Sequence, residues 1–236
     1  MIQALQQPVT FEEFIEWKPN DGQYELRKGV ILERQPKGKH EEITGFLIAE
    51  LTFQARVQKL PYFSPKQALV KSPTDENSAY LPDVLLVDSR ELSSEPYWER
   101  ASTLTQGSSI PMIVEVVSSN WRDDYLTKLS EYEELGVPEY WIVDYAAFGG
   151  RRFIGNPKQP TLSVYRLVEG EYELQPFRAG DSLSETLHGR ILSHYPMSCC
   201  NRRLSNSRTR RAKSWSRSNK SSKVSTGMAR MRVGVA

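Results

Sequence analysis

Two short apolar segments, each with a single carboxylate, most constrain the fold of this chain. Residues 81–87 are LPDVLLV and residues 110–117 are IPMIVEVV, with Asp83 and Glu115 as their acids. Runs this apolar are typical of strands that are covered on both faces of a sheet. A carboxylate in such a place costs free energy unless it is paired or coordinates a cation. The two segments therefore predict strands of one sheet that carry a special acidic site.

Hydrophobic periodicity and turn signals predict the elements around these strands. Thr10 and Glu13 have the spacing of a capping box at the start of a short helix. The other predicted elements are a hairpin over YELR and VILE, a helix over 40–59, an extended segment over 62–70, a helix over 124–135, a strand over 139–144, and a hairpin over 162–167 and 172–175. Their order predicts an α/β fold, with a mixed central β-sheet flanked by helices and an N-terminal β-hairpin.

Charge divides the chain into two regions. Of 31 Lys and Arg residues, eleven lie in 197–236, where no Asp or Glu occurs, so residues 1–196 hold 20 basic and 29 acidic residues. We expect one domain over 1–196 and a disordered, basic, Ser/Arg-rich tail over 197–236, because the tail has no apolar period. The formal charge of the domain is −9. Any contact with nucleic acid must therefore be local, or assisted by cations or by the tail.

The sequence also predicts a compartment. No run approaches the roughly 18 consecutive apolar residues of a membrane span, and the N-terminal residues lack the pattern of a secretion signal. Cys199 and Cys200 are adjacent and have no partners at metal-ligand spacing. We therefore expect a cytoplasmic protein with no membrane partner.

The acids of the two strands suit one kind of chemistry. Phosphodiester hydrolysis uses a hard, oxygen-ligated cation that polarises the phosphoryl oxygen and lowers the pKa of an attacking water. Asp83 and Glu115 are the predicted metal ligands, with the backbone carbonyl of Val116 as a third. Lys128, on the helix that follows, is predicted to orient the water or to stabilise the charge of the transition state.

The pairing of LPDVLLVD with IVEVVSSNWRDDYLTKLSEYEELGVPEYWIVD resembles the PD-(D/E)XK nuclease superfamily and, within it, the Uma-two (Uma2) family of restriction-endonuclease-like proteins. The resemblance runs from about residue 10 to about residue 192. It places the two family acids on Asp83 and Glu115. Val117 stands where the superfamily motif has lysine, and the Uma2 pattern moves that lysine to Lys128.

The resemblance implies more than the residues show by themselves. It implies a restriction-endonuclease-like core, Mg²⁺ as cofactor with Mn²⁺ as an alternative, DNA as substrate, and a homodimer. It also covers the YELRKGVILE hairpin, which places an auxiliary acid at Glu25, and the helix-opening His40. The expected activity is that of a Mg²⁺-dependent endodeoxyribonuclease.

Simpler interpretations remain open for each residue. Asp83 can cap a turn after a proline, and Lys128 can be an exposed helix residue paired with Asp124. The Asp123-Asp124 pair is interpreted as a solvated helix start. For the whole chain, the alternative is a catalytically inactive nuclease fold that binds DNA or a protein partner. A nucleotide-hydrolysing enzyme is disfavoured, because no G-x-x-x-x-G-K phosphate loop is present.

Overall fold

The structure is a computed structural model, and it describes residues 8–19, 21–178 and 181. Its helices are α1 (Phe11–Trp17), α2 (Gly38–Val57), α3 (Trp98–Ala101), α4 (Lys128–Glu134) and α5 (Arg151–Ile154). Its strands are β1 (Tyr24–Arg27), β2 (Val30–Glu33), β3 (Tyr62–Phe63), β4 (Leu69–Lys71), β5 (Ala79–Tyr80), β6 (Val84–Asp88), β7 (Thr103–Leu104), β8 (Met112–Val116), β9 (Glu139–Asp144), β10 (Thr161–Val168) and β11 (Glu171–Arg178). The predicted boundary at residue 196 and the basic tail lie outside the described residues.

The strands form two mixed sheets. The six-stranded central sheet has the order β11-β10-β9-β8-β6-β3, with β8 and β9 parallel and its other pairs antiparallel. A five-stranded second sheet has the order β2-β1-β5-β4-β7. The predicted α/β class, with a mixed sheet, flanking helices and an N-terminal hairpin, is confirmed. The hairpin, however, belongs to the second sheet.

The extended segment predicted over 62–70 is not continuous and forms two strands, β3 and β4, that belong to different sheets. Tyr62–Phe63 pairs with β6 in the central sheet, whereas Leu69–Lys71 pairs with β5 and β7 in the second sheet. Pro65 lies between them and has no N–H to donate to a strand ladder. The chain therefore leaves one sheet there and enters the other.

Helices cover both faces of β6 and β8, as their apolar sequences predict. On one face, Leu47 and Leu51 of α2 belong to a buried cluster with alternate residues of these strands, among them Val84 and Val114. On the other face, Tyr132 of α4 packs in a second buried cluster. Because both faces are covered, an acid on either face of these strands lies inside the protein. None of the described helices is long and apolar enough to cross a membrane.

The N-terminal hairpin is held beside the central sheet. The predicted capping box starts α1, and Phe11 and Phe14 of that helix are fully buried against Leu26 of β1. In the hairpin turn, the Gly29 N–H donates to Asn77 O at 2.9 Å. Gly29 has a φ of +74°, which side chains rarely adopt, and a Cβ there would lie 2.3 Å from Pro8 Cβ. These contacts fix the hairpin side chains that reach the site described below.

The position of α4 depends on a close backbone approach at Gly107. A Cβ at this residue would lie 2.3 Å from Leu135 O, just beyond the end of α4. We predict that Gly107→Ala lowers the free energy of unfolding by about 1–3 kcal/mol, because backbone must shift to make room. The matched change Gly45→Ala, in an open position on α2, should raise it by about 0.8–1 kcal/mol through helix propensity. Urea unfolding of both variants measures the two effects, and an unchanged Gly107→Ala protein would contradict the prediction.

Candidate functional site

The strand pair β6–β8 brings Asp83 and Glu115 to the same end of the central sheet. The antiparallel register pairs Val84 with Val114, so Asp83, one residue before Val84, lies opposite Glu115, one residue after Val114. Asp83 is at the entry of β6, where the chain leaves Pro82. The Val116 N–H donates to Asp83 Oδ2 at 2.8 Å. The carboxylate of Asp83 thus satisfies the backbone where the strand pairing ends.

Glu115 is buried beneath α4. Lys128 Nζ donates to Glu115 Oε1 at 2.8 Å, and both side chains are only 1% exposed. The Tyr132 hydroxyl, one helical turn further on, donates to the same oxygen at 3.2 Å. Glu115 Oε2 is buried and has no hydrogen-bond partner within the described part of the chain. The carboxylate therefore has one saturated oxygen and one that is free to accept.

Asp83 is held by groups from two other elements. His40, in the first turn of α2, lies with Nε2 3.0 Å from Asp83 Oδ2. Arg34, just after β2, donates from Nη2 to Asp83 Oδ1 at 2.8 Å. Asp83 and His40 are each only 7% exposed at the side chain. Asp83 is therefore an enclosed carboxylate with two basic partners and does not act as a simple turn cap.

Glu25 on β1 also faces the site and is buried, at 1% exposure. Its carboxylate accepts from Arg34 Nη1 at 3.2 Å and lies 2.5 Å from Arg27 Nη2. Arg27 in turn bonds Asp123, which links the hairpin to the turn that precedes α4. Glu25 therefore points towards the site and not towards solvent.

The interpretation of the Asp123-Asp124 pair as a solvated helix start was wrong for Asp124. Asp123–Thr127 forms one turn of π-helix before α4, where the sequence predicted a continuous α-helix. Asp124 is buried in this turn, and its Oδ1 lies 3.7 Å from Lys128 Nζ. The Tyr140 hydroxyl donates to the Asp124 backbone carbonyl at 3.0 Å. Single π turns occur frequently at functional sites, and this one brings a further carboxylate to Lys128.

Burial and charge set the ionisation of these groups. Burial raises the pKa of Glu115 to about 8, with the negative charges of Asp83 and Asp124 adding to the effect and Lys128 opposing it. Burial likewise raises the pKa of Asp124 to about 6. For Asp83, burial is outweighed by the hydrogen bond from His40 and the charge of Arg34, so its pKa is lowered. The site thus contains acids with well-separated proton affinities, which is typical of functional sites.

The residues present fit a hard divalent cation bound partly through water. Mg²⁺ takes oxygen ligands and keeps several waters, so few carboxylates are needed. Glu115 Oε2 is the kind of buried, unpartnered acceptor that such a cation satisfies. Within the described ranges, no group of three or more His, Cys, Asp or Glu side chains is placed to hold a metal ion alone. A site here would therefore need backbone oxygen and water besides Asp83 and Glu115.

An aromatic and arginine patch follows the ends of the parallel strands β8 and β9, the end of the sheet at which Glu115 lies. We define it by Trp121, Arg122, Arg152 and Phe153. Trp121 and Phe153 are in ring contact at 6.1 Å, and each carries a guanidinium, Arg122 at 4.5 Å and Arg152 at 4.4 Å. Both arginines are exposed, and neither forms an ion pair within the described residues. The stacking restrains two cations on an otherwise acidic domain.

The structure brings together the five predicted site side chains, Glu25, His40, Asp83, Glu115 and Lys128. It adds two charged residues that sequence reasoning missed, Arg34 and Asp124. Arg34 carries no signal in the sequence, since an arginine after a strand is normally solvated. Asp124 carried one: it stands four residues before Lys128, the spacing of one helix face.

Comparison with known proteins gives one family and one fold. The profile of the Uma2 family, described as "Putative restriction endonuclease", matches residues 11–193. A crystal structure described as "a putative nuclease belonging to DUF820 from Anabaena variabilis ATCC 29413" is 17% identical, with a TM-score of 0.59. The match covers 82% of this chain and 97% of that one. At this identity the similarity shows a shared fold. No curated protein matches the chain.

The pKa shifts predict how the stability of the metal-free protein depends on pH. The folded pKa values of Glu115 (about 8), Asp124 (about 6) and His40 are all raised above their unfolded values. Their contributions are present at low pH and are lost as pH rises through the folded pKa. The pKa values of Asp83 and Glu25 are lowered, so these two groups change the stability only below pH 5 and not between pH 6 and pH 8.5.

We therefore predict that, in EDTA, the free energy of unfolding falls between pH 6 and pH 8.5 by a few kcal/mol, since each unit of pKa shift corresponds to about 1.4 kcal/mol. In Glu115→Gln, whose side chain imitates the protonated acid, most of this slope should disappear. Urea unfolding across the pH series measures it. A variant that keeps the full slope would show that Glu115 is not the responsible group.

Proposed function

Because the chain belongs to the Uma2 family, we propose that its folded part is a Mg²⁺-dependent endonuclease that hydrolyses DNA phosphodiester bonds. The observation that carries the proposal is the buried pair of Glu115 and Lys128 beside Asp83. A buried ion pair contributes little to stability compared with apolar packing, so its presence favours a functional role. The unpartnered Oε2 of Glu115 supports a ligand role for this carboxylate.

In this proposal Asp83, Glu115 and the backbone carbonyl of Val116 hold the cation. When bound, Mg²⁺, or Mn²⁺ in its place, lowers the pKa of an attacking water and neutralises charge on the phosphate. The N–H of Val116 already points to Asp83. Since the N–H and C=O of a strand residue point to the same side, the Val116 carbonyl also points towards Asp83.

The other side chains prepare the site for in-line attack by water. Lys128 is enclosed and keeps its charge, because the attraction of Glu115, Glu25 and Asp124 outweighs the cost of burial and raises its pKa. An ammonium held there can orient the water or stabilise charge that develops on the phosphate. His40 and Glu25 act as auxiliary residues: His40 fixes Asp83, and Glu25 fixes the hairpin arginines.

The patch of Trp121, Arg122, Arg152 and Phe153 is the proposed contact surface for the DNA backbone. Exposed guanidiniums bind phosphate oxygens, and stacking on an aromatic ring reduces the entropic cost of ordering them for that purpose. The patch follows the ends of β8 and β9, the same end of the sheet as Glu115. The DNA backbone can therefore be held locally, although the domain as a whole is acidic.

A second candidate function is a catalytically inactive nuclease fold that binds DNA or a protein. The pairing of Asp83 with Arg34 and of Glu115 with Lys128 favours it, since each carboxylate has a cationic partner without any metal. The homodimer implied by the family resemblance and the cytoplasmic location predicted from the sequence stay predictions. The first is tested by sedimentation and the second by fractionation.

The two candidates differ in a cleavage assay on supercoiled, linear and single-stranded DNA with Mg²⁺ or Mn²⁺. We predict that Asp83→Asn, Glu115→Gln and Lys128→Met each reduce the cleavage rate by at least about 100-fold, as loss of a group that stabilises the transition state does. The matched control is Asp88→Asn, at the far end of the same strand and paired with Arg90. It should cleave normally. A wild-type protein that cuts none of these substrates would support the inactive fold.

The patch predicts a change in the salt dependence of DNA binding. The slope of log affinity against log salt falls by about 0.9 for every phosphate that the protein no longer neutralises. Arg122→Gln with Arg152→Gln should therefore reduce the slope by up to about 2 and weaken binding, measured in EDTA to prevent cleavage. Arg56→Gln, exposed at the far end of α2, should leave the slope unchanged. Equal slopes in all three proteins would place the DNA elsewhere.

A further inference from the structure

Arg34 places a guanidinium at the outer side of the acidic site. Its Nη2 donates to Asp83 Oδ1 at 2.8 Å and its Nη1 to Glu25 Oε2 at 3.2 Å. The Arg34 side chain is 23% exposed, whereas Asp83 is 7% and Glu25 1% exposed. Arg34 therefore reaches the two carboxylates from the protein surface.

Lys128 is placed differently. Its side chain is 1% exposed and its Nζ is bonded to the equally buried Glu115. Withdrawal of Lys128 would leave a buried carboxylate unpaired, at a cost of several kcal/mol. The Arg34 side chain is partly exposed and has a flexible stem, and without it Asp83 keeps His40 and Glu25 keeps Arg27, so it can leave the site at lower cost. Of these two cations, Arg34 is the exchangeable one.

The two oxygens of Asp83 are also unequal. Oδ2 is fixed by His40 and by the Val116 N–H, which belong to α2 and β8. Oδ1 accepts from Arg34. Movement of Arg34 therefore frees Oδ1 and leaves the contacts of Oδ2 intact. It would open a second carboxylate oxygen in a site where Glu115 Oε2 is already without a partner in the described structure.

We infer that Arg34 is the counter-cation of the metal-free site and is exchanged for the divalent cation. The inference rests on the proposed function, because it takes Asp83 and Glu115 as metal ligands. Carboxylates that lie together in a poorly solvated place need positive charge nearby before any metal arrives. A guanidinium on Oδ1 repels a second cation at the same oxygen, so the two compete. Arg34 thus stabilises the empty site and weakens metal binding.

Titration calorimetry with Mn²⁺, in the absence of DNA, tests the exchange. Arg34→Met should bind Mn²⁺ about tenfold more tightly than wild type, since one competing charge has been removed. The control is Arg90→Met, because Arg90 pairs with Asp88 at 2.6 Å on the far end of the same strand. Its Mn²⁺ affinity should match wild type. In EDTA, Arg34→Met should also melt at a lower temperature, because Asp83 and Glu25 lose a partner.

Arg34→Gln serves as a second variant that keeps a neutral donor near Asp83, in case the methionine variant does not fold. If wild type binds Mn²⁺ and both variants bind it no more tightly, the exchange is overturned and the proposed function stands. If no protein binds Mn²⁺, the metal site of the proposed function is overturned and the exchange with it. Tighter binding confined to the Arg34 variants supports the exchange.

Discussion

The buried hydrogen bond from Lys128 to Glu115 is the interaction on which the arrangement of the site depends. Neither group is stable in the interior alone, because an isolated buried charge costs several kcal/mol. Their contact at 2.8 Å therefore fixes α4 against β8. The π turn before α4 and the close approach at Gly107 both set where Lys128 lies. The π turn and the close approach at Gly107 thus both serve to place Lys128 over Glu115.

The site is assembled from elements that come from both sides of the central sheet. α2 contributes His40 from one face and α4 contributes Lys128 from the other, and they meet at the end of β6 and β8. The second sheet contributes Glu25 and Arg34 through the N-terminal hairpin. This arrangement explains why the hairpin is fixed so firmly by α1 and by its turn. The acids at the ends of β6 and β8 need basic partners, and the two apolar strands cannot provide them.

The sequence predicted the strongly periodic elements well. Glu139–Asp144 has the predicted bounds, and both hairpins occur where turn signals placed them. The acids were predictable because a carboxylate in an apolar strand has few structural reasons to be there. Other features depend on tertiary contacts and could not be predicted. Arg34 has an ordinary local sequence, and the π turn in which Asp124 is buried has no recognisable sequence pattern.

The central claim is that Asp83 and Glu115 hold a divalent cation at the end of β6 and β8. Anomalous diffraction from crystals grown with Mn²⁺ tests it most directly. We predict a peak within about 2.0–2.3 Å of a carboxylate oxygen of each residue, with the Arg34 guanidinium displaced from Asp83 Oδ1. A strong peak elsewhere in the protein, with Arg34 still on Asp83, would contradict it.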